Sequence, residues 1–413
     1  MSAPGTHTAP LAAQRGARMS RDASGLRICV VTDTYPKLSE TFVRDQVAAL
    51  SARGAQVSVV TDRLAAPPAE RGGLSRRWGA VSLAEPWLRR LPPRLADRAV
   101  TGLDRAFAGR LRGYDAIVSH FGMNGVRVAR AGRRTAGFPP LITIFHGFDV
   151  GMAAHDGTLG QYRPLFSAPG LLLTVNHPFR DTLVAAGAPP DRTRVHHLGI
   201  DPDRIAFRTR DWTGPLRVLT VGRLTQKKGV AQALAAMAAL RDRHPGRDWR
   251  YDIIGDGELR ASLEQQSAEL GLNDRVTFHG ALPHDRVKAA MQEADVFLLP
   301  SLTAATGDME GLPIVLMEAM AAGMVAVSTR HSGIPELIEH GVSGVLAAEG
   351  DVPDLVDRLA WVLDHPDRLG AMAAAARKAV ETSFNTDRQT DELIAHVRAL
   401  RDARPRPKRN GTA

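Results

Sequence analysis

The sequence predicts an α/β chain of two doubly wound domains, and three observations carry that expectation. Its 413 residues exceed what a single hydrophobic core usually serves. Two stretches, LRICVVTDTYP (26–36) and LRVLTVGRLTQ (216–226), each set a β-branched, almost wholly apolar run before a polar turn, as fully buried parallel strands do. After each opening, strand candidates alternate with helical or loop segments, which is how βα units and a parallel sheet read in sequence.

Residues 1–25 mix Ala, Gly, Pro, Thr and Arg without an apolar core, so a disordered tail without a signal peptide is expected, with Met19 an alternative start. The first domain is expected over 26–200. Its first strand leads into LSETFVRDQVAALSARG (38–54), where Ser39 caps a helix, Glu40 sits at its positive end, Val43, Val47 and Leu50 form an apolar stripe, and Gly54 stops it. QVSVVT, AIVSHFG, LITIFHG and LLLTVN supply the further strands. A linker is expected over 201–215, inside a stretch (188–215) whose four prolines and several charges suit a connector. The second domain, 216–385, repeats the plan with VLTVG, WRYDIIGDG, RVTFHG, DVFLLPS, MVAVST and SGVLAA, making both halves Rossmann-like. DELIAHVRALRD predicts a last helix over 386–402 that packs back on the first domain, followed by a basic tail at 403–413.

Composition narrows the function. Fifty-three basic and 44 acidic residues leave +9, which suits a negatively charged partner. Aromatics at 5% argue against base-stacking platforms for nucleic-acid strands, and the basic residues follow no known reading motif. Cys29 is the only cysteine, so an internal disulfide is ruled out and a buried thiol in a reducing, cytoplasmic setting is expected. The longest apolar stretch, 314–327, contains Glu318, so no bilayer span is expected.

In open parallel sheets ligands sit beyond the carboxyl ends of the strands, and three such turns carry chemistry. In VGRLTQKKG (221–229), Gly222 lets the chain turn while Arg223 and Lys228 reach for phosphate oxygens; the alternative is an exposed basic loop. In GDMEGLPIVLMEAMAAG (307–323), Gly311 precedes Pro313, which is expected to open a helix and leave the amides of Ile314 and Val315 facing an anion such as a diphosphate. Glu318 lies in the second turn among apolar neighbours, where ribose hydroxyls would offset the cost of its charge, and Glu310 lies across the phosphates, where a sugar would sit. The competing reading pairs Glu318 with a core arginine and leaves Glu310 solvated. In IFHGFDV (144–150), His146 follows four apolar residues and Gly147 permits close approach; a structural histidine is the alternative. His120 and Asn124 invite the same reading.

Other patterns fail. GDGELR (255–260) has Arg260 where a dinucleotide fingerprint needs its third glycine, and GRLTQKKG is no P-loop. Asp201 and Asp203 mimic a metal pair inside the presumed connector, no cysteine and histidine cluster has zinc spacing, and His196 and His197 read as a strand pair on opposite faces.

EGLPIVLMEAMAAG (310–323) resembles the E-x7-E motif of glycosyltransferase family 4, retaining enzymes of the GT-B fold, and VGRLTQKKG resembles their phosphate-binding loop. The similarity covers about residues 26–390, and YPKLSETFVRDQVAAL with TAATGDMEGLPIVLMEAMAAG is similar to the colanic-acid and amylovoran branch of exopolysaccharide glycosyltransferases. The resemblance implies that Arg223 and Lys228 bind a donor diphosphate, Glu318 the ribose, Glu310 the donor sugar, and that His146 lies beside that sugar. It implies a base near FHGALP (278–283), with Gly280 and Leu282 contributing, and no metal ion or other cofactor. The partners implied are a nucleotide-diphospho-sugar and a saccharide or lipid-linked glycan acceptor, with no nucleic acid. PKLSE (36–40) stands where many relatives carry a glycine-rich turn, which leaves the contacts of Ser39 and Glu40 with donor or acceptor open. A segment with seven arginines over 89–112 predicts a basic amphipathic helix pair that rests on anionic lipid or forms a solvated face. A nucleotide-sugar epimerase or sugar phosphorylase on the same fold is the rival enzyme reading, and a basic nucleic-acid-binding protein the remote one.

Overall fold

The computed structural model describes residues 22–37, 40–64, 75–77, 92–133 and 135–403. Two parallel sheets with helices on both faces form two Rossmann-like domains of the GT-B type. The first sheet comprises β1 (Arg27–Tyr35), β2 (Gln56–Leu64), β3 (Ser75–Arg77), β4 (Ala116–His120), β5 (Leu141–Phe145), β6 (Gly170–Thr174) and β7 (Thr193–Val195), in the order β3-β2-β1-β4-β5-β6-β7. The second comprises β8 (Leu216–Val221), β9 (Trp249–Ile254), β10 (Val276–Gly280), β11 (Val296–Leu299), β12 (Val325–Thr329) and β13 (Val345–Ala347), in the order β10-β9-β8-β11-β12-β13. Each order reverses beside its opening strand, β1/β4 in one sheet and β8/β11 in the other, which is where open sheets of this kind form a crevice.

Wholly buried strands lie in the interior of each sheet. Every residue of β4, β5, β11 and β12 is buried, because helices cover both faces. Two strands stand outside the sequence expectation. β3 is three residues long, and β7 lies in the stretch read as a connector, where TRV pairs with Leu172–Thr174 of β6 and closes the sheet edge. A three-residue strand behind a pair of prolines is too short to show a period of two.

The first helix runs Thr41–Ala52 with Val43 and Leu50 buried, and Gly54 follows it at φ +89°, where a side chain would be strained. Glu40 occupies its N-cap without a side-chain capping bond, and the expected cap, Ser39, lies outside the described residues. Of the arginine-rich segment, 92–112 is described and forms one helix, Pro93–Leu111, which buries Phe107 and Leu111 and exposes Arg105 and Arg110, with the exposed Arg112 at its C-cap; the remainder lies outside the described residues. Among the described residues no helix is long and apolar enough to cross a membrane.

Two chain passages join the domains, and they are hydrogen-bonded to each other. Ile200 bridges Asn385, with Ile200 N donating to Phe384 O (2.9 Å) and Thr386 N to Ile200 O (2.8 Å). Beyond this point the helix Thr386–Asp402 packs on Thr41–Ala52, held by Arg53, which donates to Asp387 and Asp391 at 2.8 Å each. The first passage is anchored by Arg210, whose side chain is 1% exposed. It donates to the carbonyls of Ala294 (2.6 Å), Ala322 (2.8 Å), Met291 (2.8 Å) and Arg208 (2.9 Å). Burial lowers the Arg210 pKa to about 10, against the pull of Asp295, so the group stays charged at neutral pH. Arg210→Met keeps the stem and strips four carbonyls of their donor, and should destabilise the second domain by about 3–5 kcal/mol. A thermal unfolding midpoint equal to that of the unaltered chain would contradict this assignment.

Candidate functional site

Three turns at the carboxyl ends of the strands meet between the sheets. The turn after β8 is clamped by glycines. A Cβ on Gly255 (φ +147°) would lie 1.8 Å from Gly222 O, and one on Gly229 (φ +68°) would lie 1.8 Å from Pro300 O. Between them the short turn Gln226–Lys228 aims two ammonium groups at the neighbouring loop. Lys228 Nζ stands 2.8 Å from Glu310 Oε1, and Lys227 Nζ 3.0 Å from Asp308 Oδ1. Glu310 is buried, not solvated. Burial pushes its carboxyl up, but Lys228 and Lys227 outweigh burial and hold it below the usual range.

The backbone of Glu310 is fixed from behind. Its N–H donates to His331 Nε2 at 3.1 Å, so the other ring nitrogen, Nδ1, carries the proton that meets Glu349 Oε2 at 2.8 Å. Glu349 in turn accepts from Thr303 N at 2.6 Å. Sequence reasoning missed His331 and Glu349: both follow strands of the second sheet, but nothing in their local pattern marks a hydrogen-bond relay.

The helix after this loop runs Ile314–Ala321, with Pro313 at the N-cap rather than at the first helical position. The consequence for the amides is unchanged, since Ile314 and Val315 still lack an intrahelical acceptor. Leu316, Met317, Ala319 and Met320 are buried, whereas Ile314, Val315 and Glu318 are half-buried and form one face open to the cleft. Glu318 lines a cavity of about 250 Å³ with Arg204, His284, Val287 and Lys288. No arginine pairs with it among the described residues. Burial raises its pKa to about 7, opposed by Lys288 and reinforced by Asp45. The helix His284–Glu293 supplies much of this lining; among the residues before it, Gly280 (φ +68°) lies against the Arg260 guanidinium, and Leu282 packs partly buried on the core. The carboxyl end of β10 directs the chain past the cavity, and the next helix carries side chains into it.

On the opposite wall, His146 follows β5 and His120 ends β4. His146 Nε2 lies 3.0 Å from His120 Nδ1, and His120 Nε2 lies 3.1 Å from Gln46 Oε1. With the Gln46 carbonyl accepting, His120 carries its proton on Nε2, its Nδ1 accepts from His146 Nε2–H, and His146 Nδ1 is left as a lone pair. That Nδ1 is buried and has no partner among the described residues. Phe42 and Phe121 pack on the His146 ring at 4.4 and 4.8 Å. Burial drives the His120 pKa to about 3 and that of His146 well below its ordinary value, so both rings are neutral. Asp149 holds the turn by accepting from the backbone N–H of His146 (3.0 Å), Gly147 (2.9 Å) and Gly122 (3.0 Å). Asn124 donates to His120 O at 3.0 Å and so fixes the backbone at the end of β4.

The walls touch through backbone. A Cβ on Gly311 would fall 1.8 Å from His146 O, and Asn176 Nδ2 donates to Gly311 O (2.8 Å) and Ser332 Oγ (3.1 Å). Nearby, Glu40 is buried and paired with Lys37; burial raises its pKa, and its electrostatic neighbours include the exposed Arg223. Of the residues singled out in the sequence, Gly222, Arg223, Lys228, Glu310, Gly311, Ile314, Val315, Glu318, His120 and His146 belong to these three turns or to the strand and helix ends beside them. Asp201 caps a turn by accepting from Asp203 N (3.1 Å) and pairs with Arg204 (2.9 Å), so this pair acts in local backbone structure. His196 is buried toward Glu392, whereas His197 reaches Glu336. Among the described residues one group has metal-ligand spacing, His177, His197 and Glu336, assembled from three distant stretches of chain and so invisible as a local motif.

Comparison with known proteins converges on one family. Residues 39–204 match the family model described as Glycosyltransferase Family 4, and residues 203–379 the model described as Glycosyl transferases group 1. The amylovoran biosynthesis glycosyltransferase AmsK of Erwinia amylovora is 41% identical over 291 residues, covering 68% of this chain and 70% of AmsK. WcaL of Salmonella typhimurium, named for colanic acid biosynthesis, is 34% identical over 407 residues, covering 89% of this chain and 98% of WcaL. Among solved structures, Anabaena HepE in complex with UDP superposes with a TM-score of 0.71 at 19% identity, over 91% of this chain and 100% of HepE.

Proposed function

Because this chain belongs to the group 1 and family 4 glycosyltransferases, and is therefore a transferase, we propose that it moves a hexosyl group, with retention of configuration, from a nucleotide-diphospho-sugar to a saccharide or lipid-linked saccharide acceptor. The pathway in this reading is the assembly of an exopolysaccharide, after the amylovoran and colanic acid biosynthesis for which AmsK and WcaL are named. The observation that carries it is the pairing of Lys228 with Glu310 at the foot of an open helix entrance, with the neutral His146 on the facing wall. HepE has been crystallised in complex with UDP and with UDP-glucose, which supports a diphosphate donor of this kind.

In this reading the diphosphate lies on the amides of Ile314 and Val315, with Lys228 and Arg223 beside it. Glu318 accepts from ribose hydroxyls, Glu310 from the sugar, and His146 Nδ1 offers that sugar a buried acceptor. The acceptor hydroxyl attacks the anomeric carbon on the face that the nucleotide leaves. The new glycosidic C–O bond forms as the bond to the β-phosphate oxygen breaks, and the departing diphosphate takes the hydroxyl proton. The charge growing on the leaving group is met by two side-chain cations and the helix end, so no metal ion enters the step. The exposed arginines of Pro93–Leu111 support contact with an anionic lipid surface close to a lipid-linked acceptor.

A thermal-shift screen with UDP, GDP, ADP and their sugar conjugates should show at least one stabilising donor, and with that donor Lys228→Ala should lower kcat/KM by more than about tenfold, or about 1.4 kcal/mol. No stabilisation by any nucleotide, or near-normal turnover in the variant, would sink the assignment. Glu318 supplies a pH signature. Its raised pKa means that the fold favours the protonated acid and loses that contribution as pH rises toward about 7, whereas ribose binding needs the carboxylate. Affinity for the nucleoside diphosphate should therefore weaken as pH falls below about 7 in the unaltered chain, and weaken less in Glu318→Gln, which keeps the ligand's own ionisation as a control. Identical pH profiles would remove Glu318 from the ribose. Co-sedimentation with phosphatidylserine vesicles should be strong at low salt and lost at high salt; absence of any salt-sensitive binding refutes the lipid contact.

A further inference from the structure

We propose that His177, His197 and Glu336 form a divalent transition-metal site that clasps the two domains together, a role independent of the sugar-transfer reading. His177 opens the helix His177–Ala185 of the first domain, His197 lies just after β7, and Glu336 belongs to the single-turn helix Ile334–Leu337 of the second domain. His177 Nδ1 and His197 Nε2 converge on one oxygen, Glu336 Oε2, at 2.9 and 2.7 Å, and all the ligand atoms lie within 4.8 Å of one another. Ligands about 2.1 Å from a tetrahedral ion stand about 3.4 Å apart, so the set is close to a coordination shell and needs only a small rotation of one imidazole. His177 supplies that freedom, since its side chain is 63% exposed, while His197 and Glu336 are held at 24% and 18%. The carboxylate is also oriented from outside the shell, because its other oxygen accepts the backbone N–H of His177 at 2.7 Å.

The donor set selects the ion. Two imidazoles and one carboxylate suit Zn²⁺, Co²⁺ or Ni²⁺, whereas Mg²⁺ and Ca²⁺ favour oxygen alone. Solvent completes the fourth position from the open side. Since two ligands come from one domain and the third from the other, the shell exists only when the domains stand as described. Metal binding and closure of the cleft therefore favour one another, in equal measure by linkage.

The test uses the full chain without a histidine tag. Titration with Co²⁺, followed by visible absorption, and with Zn²⁺, followed by calorimetry and thermal midpoint, should give a single site per chain and a raised midpoint. His197→Asn retains a donor for Glu336 but removes the imidazole, and Glu336→Gln removes the charge; each should weaken binding by more than about tenfold and abolish the rise in midpoint. His196→Asn, next in sequence but facing Glu392, should bind as the unaltered chain does. Absence of stoichiometric binding, or equal affinity in His197→Asn and the unaltered chain, overturns the proposal.

Discussion

The cleft depends on one steric condition: the backbone at Gly311 must pass against the carbonyl of His146, at a separation that admits no Cβ. Glycine at this point lets the loop carrying Glu310 and the turn carrying His146 share a single layer of atoms. Asn176 then ties the same glycine's carbonyl to the first domain. The rest of the site is set from that contact. Glu310 is delivered beneath Lys228, the helix beginning at Ile314 points its free amides into the opening, and Glu318 falls one turn further along the exposed face. A bulkier residue would separate the two walls and take every other distance with it.

The electrostatics of the two walls differ in a useful way. The second domain gathers cations and helix amides where, in the proposed reading, a diphosphate would lie, and Lys228 is paired with Glu310. An arriving phosphate would therefore meet a pre-aligned ammonium group rather than a mobile one. The first domain contributes rings stripped of charge by burial, ordered by the Gln46, His120 and His146 relay. In the proposed reading, the His146 lone pair would orient a sugar hydroxyl without adding positive charge beside an anomeric centre that itself becomes electron-poor.

Much of this was legible in the sequence because its causes are local. Buried parallel strands read as near-continuous apolar runs, so every long strand could be read, and carboxylates eight residues apart among small side chains demanded polar partners. Pro313 marked the helix start to within one residue, for it fixes φ in either role. The unread parts are those whose causes lie far away in the chain. The relay from Glu310 through His331 to Glu349, the Asp149 carboxylate gathering three amides, the His284–Glu293 lining of the Glu318 cavity and the grouping of His177, His197 and Glu336 all join residues on different loops. β7 escaped because three residues cannot display a period.

The last helix has a consequence for how the polypeptide is made. Arg53, near the start, is held by Asp391, 338 positions later, so the first domain's surface is completed by a segment that leaves the ribosome only after the entire second domain. During synthesis the face of Thr41–Ala52 that receives this helix waits uncovered for most of the chain's length. The amino-terminal domain thus acquires its last covering helix only once the second domain has been made.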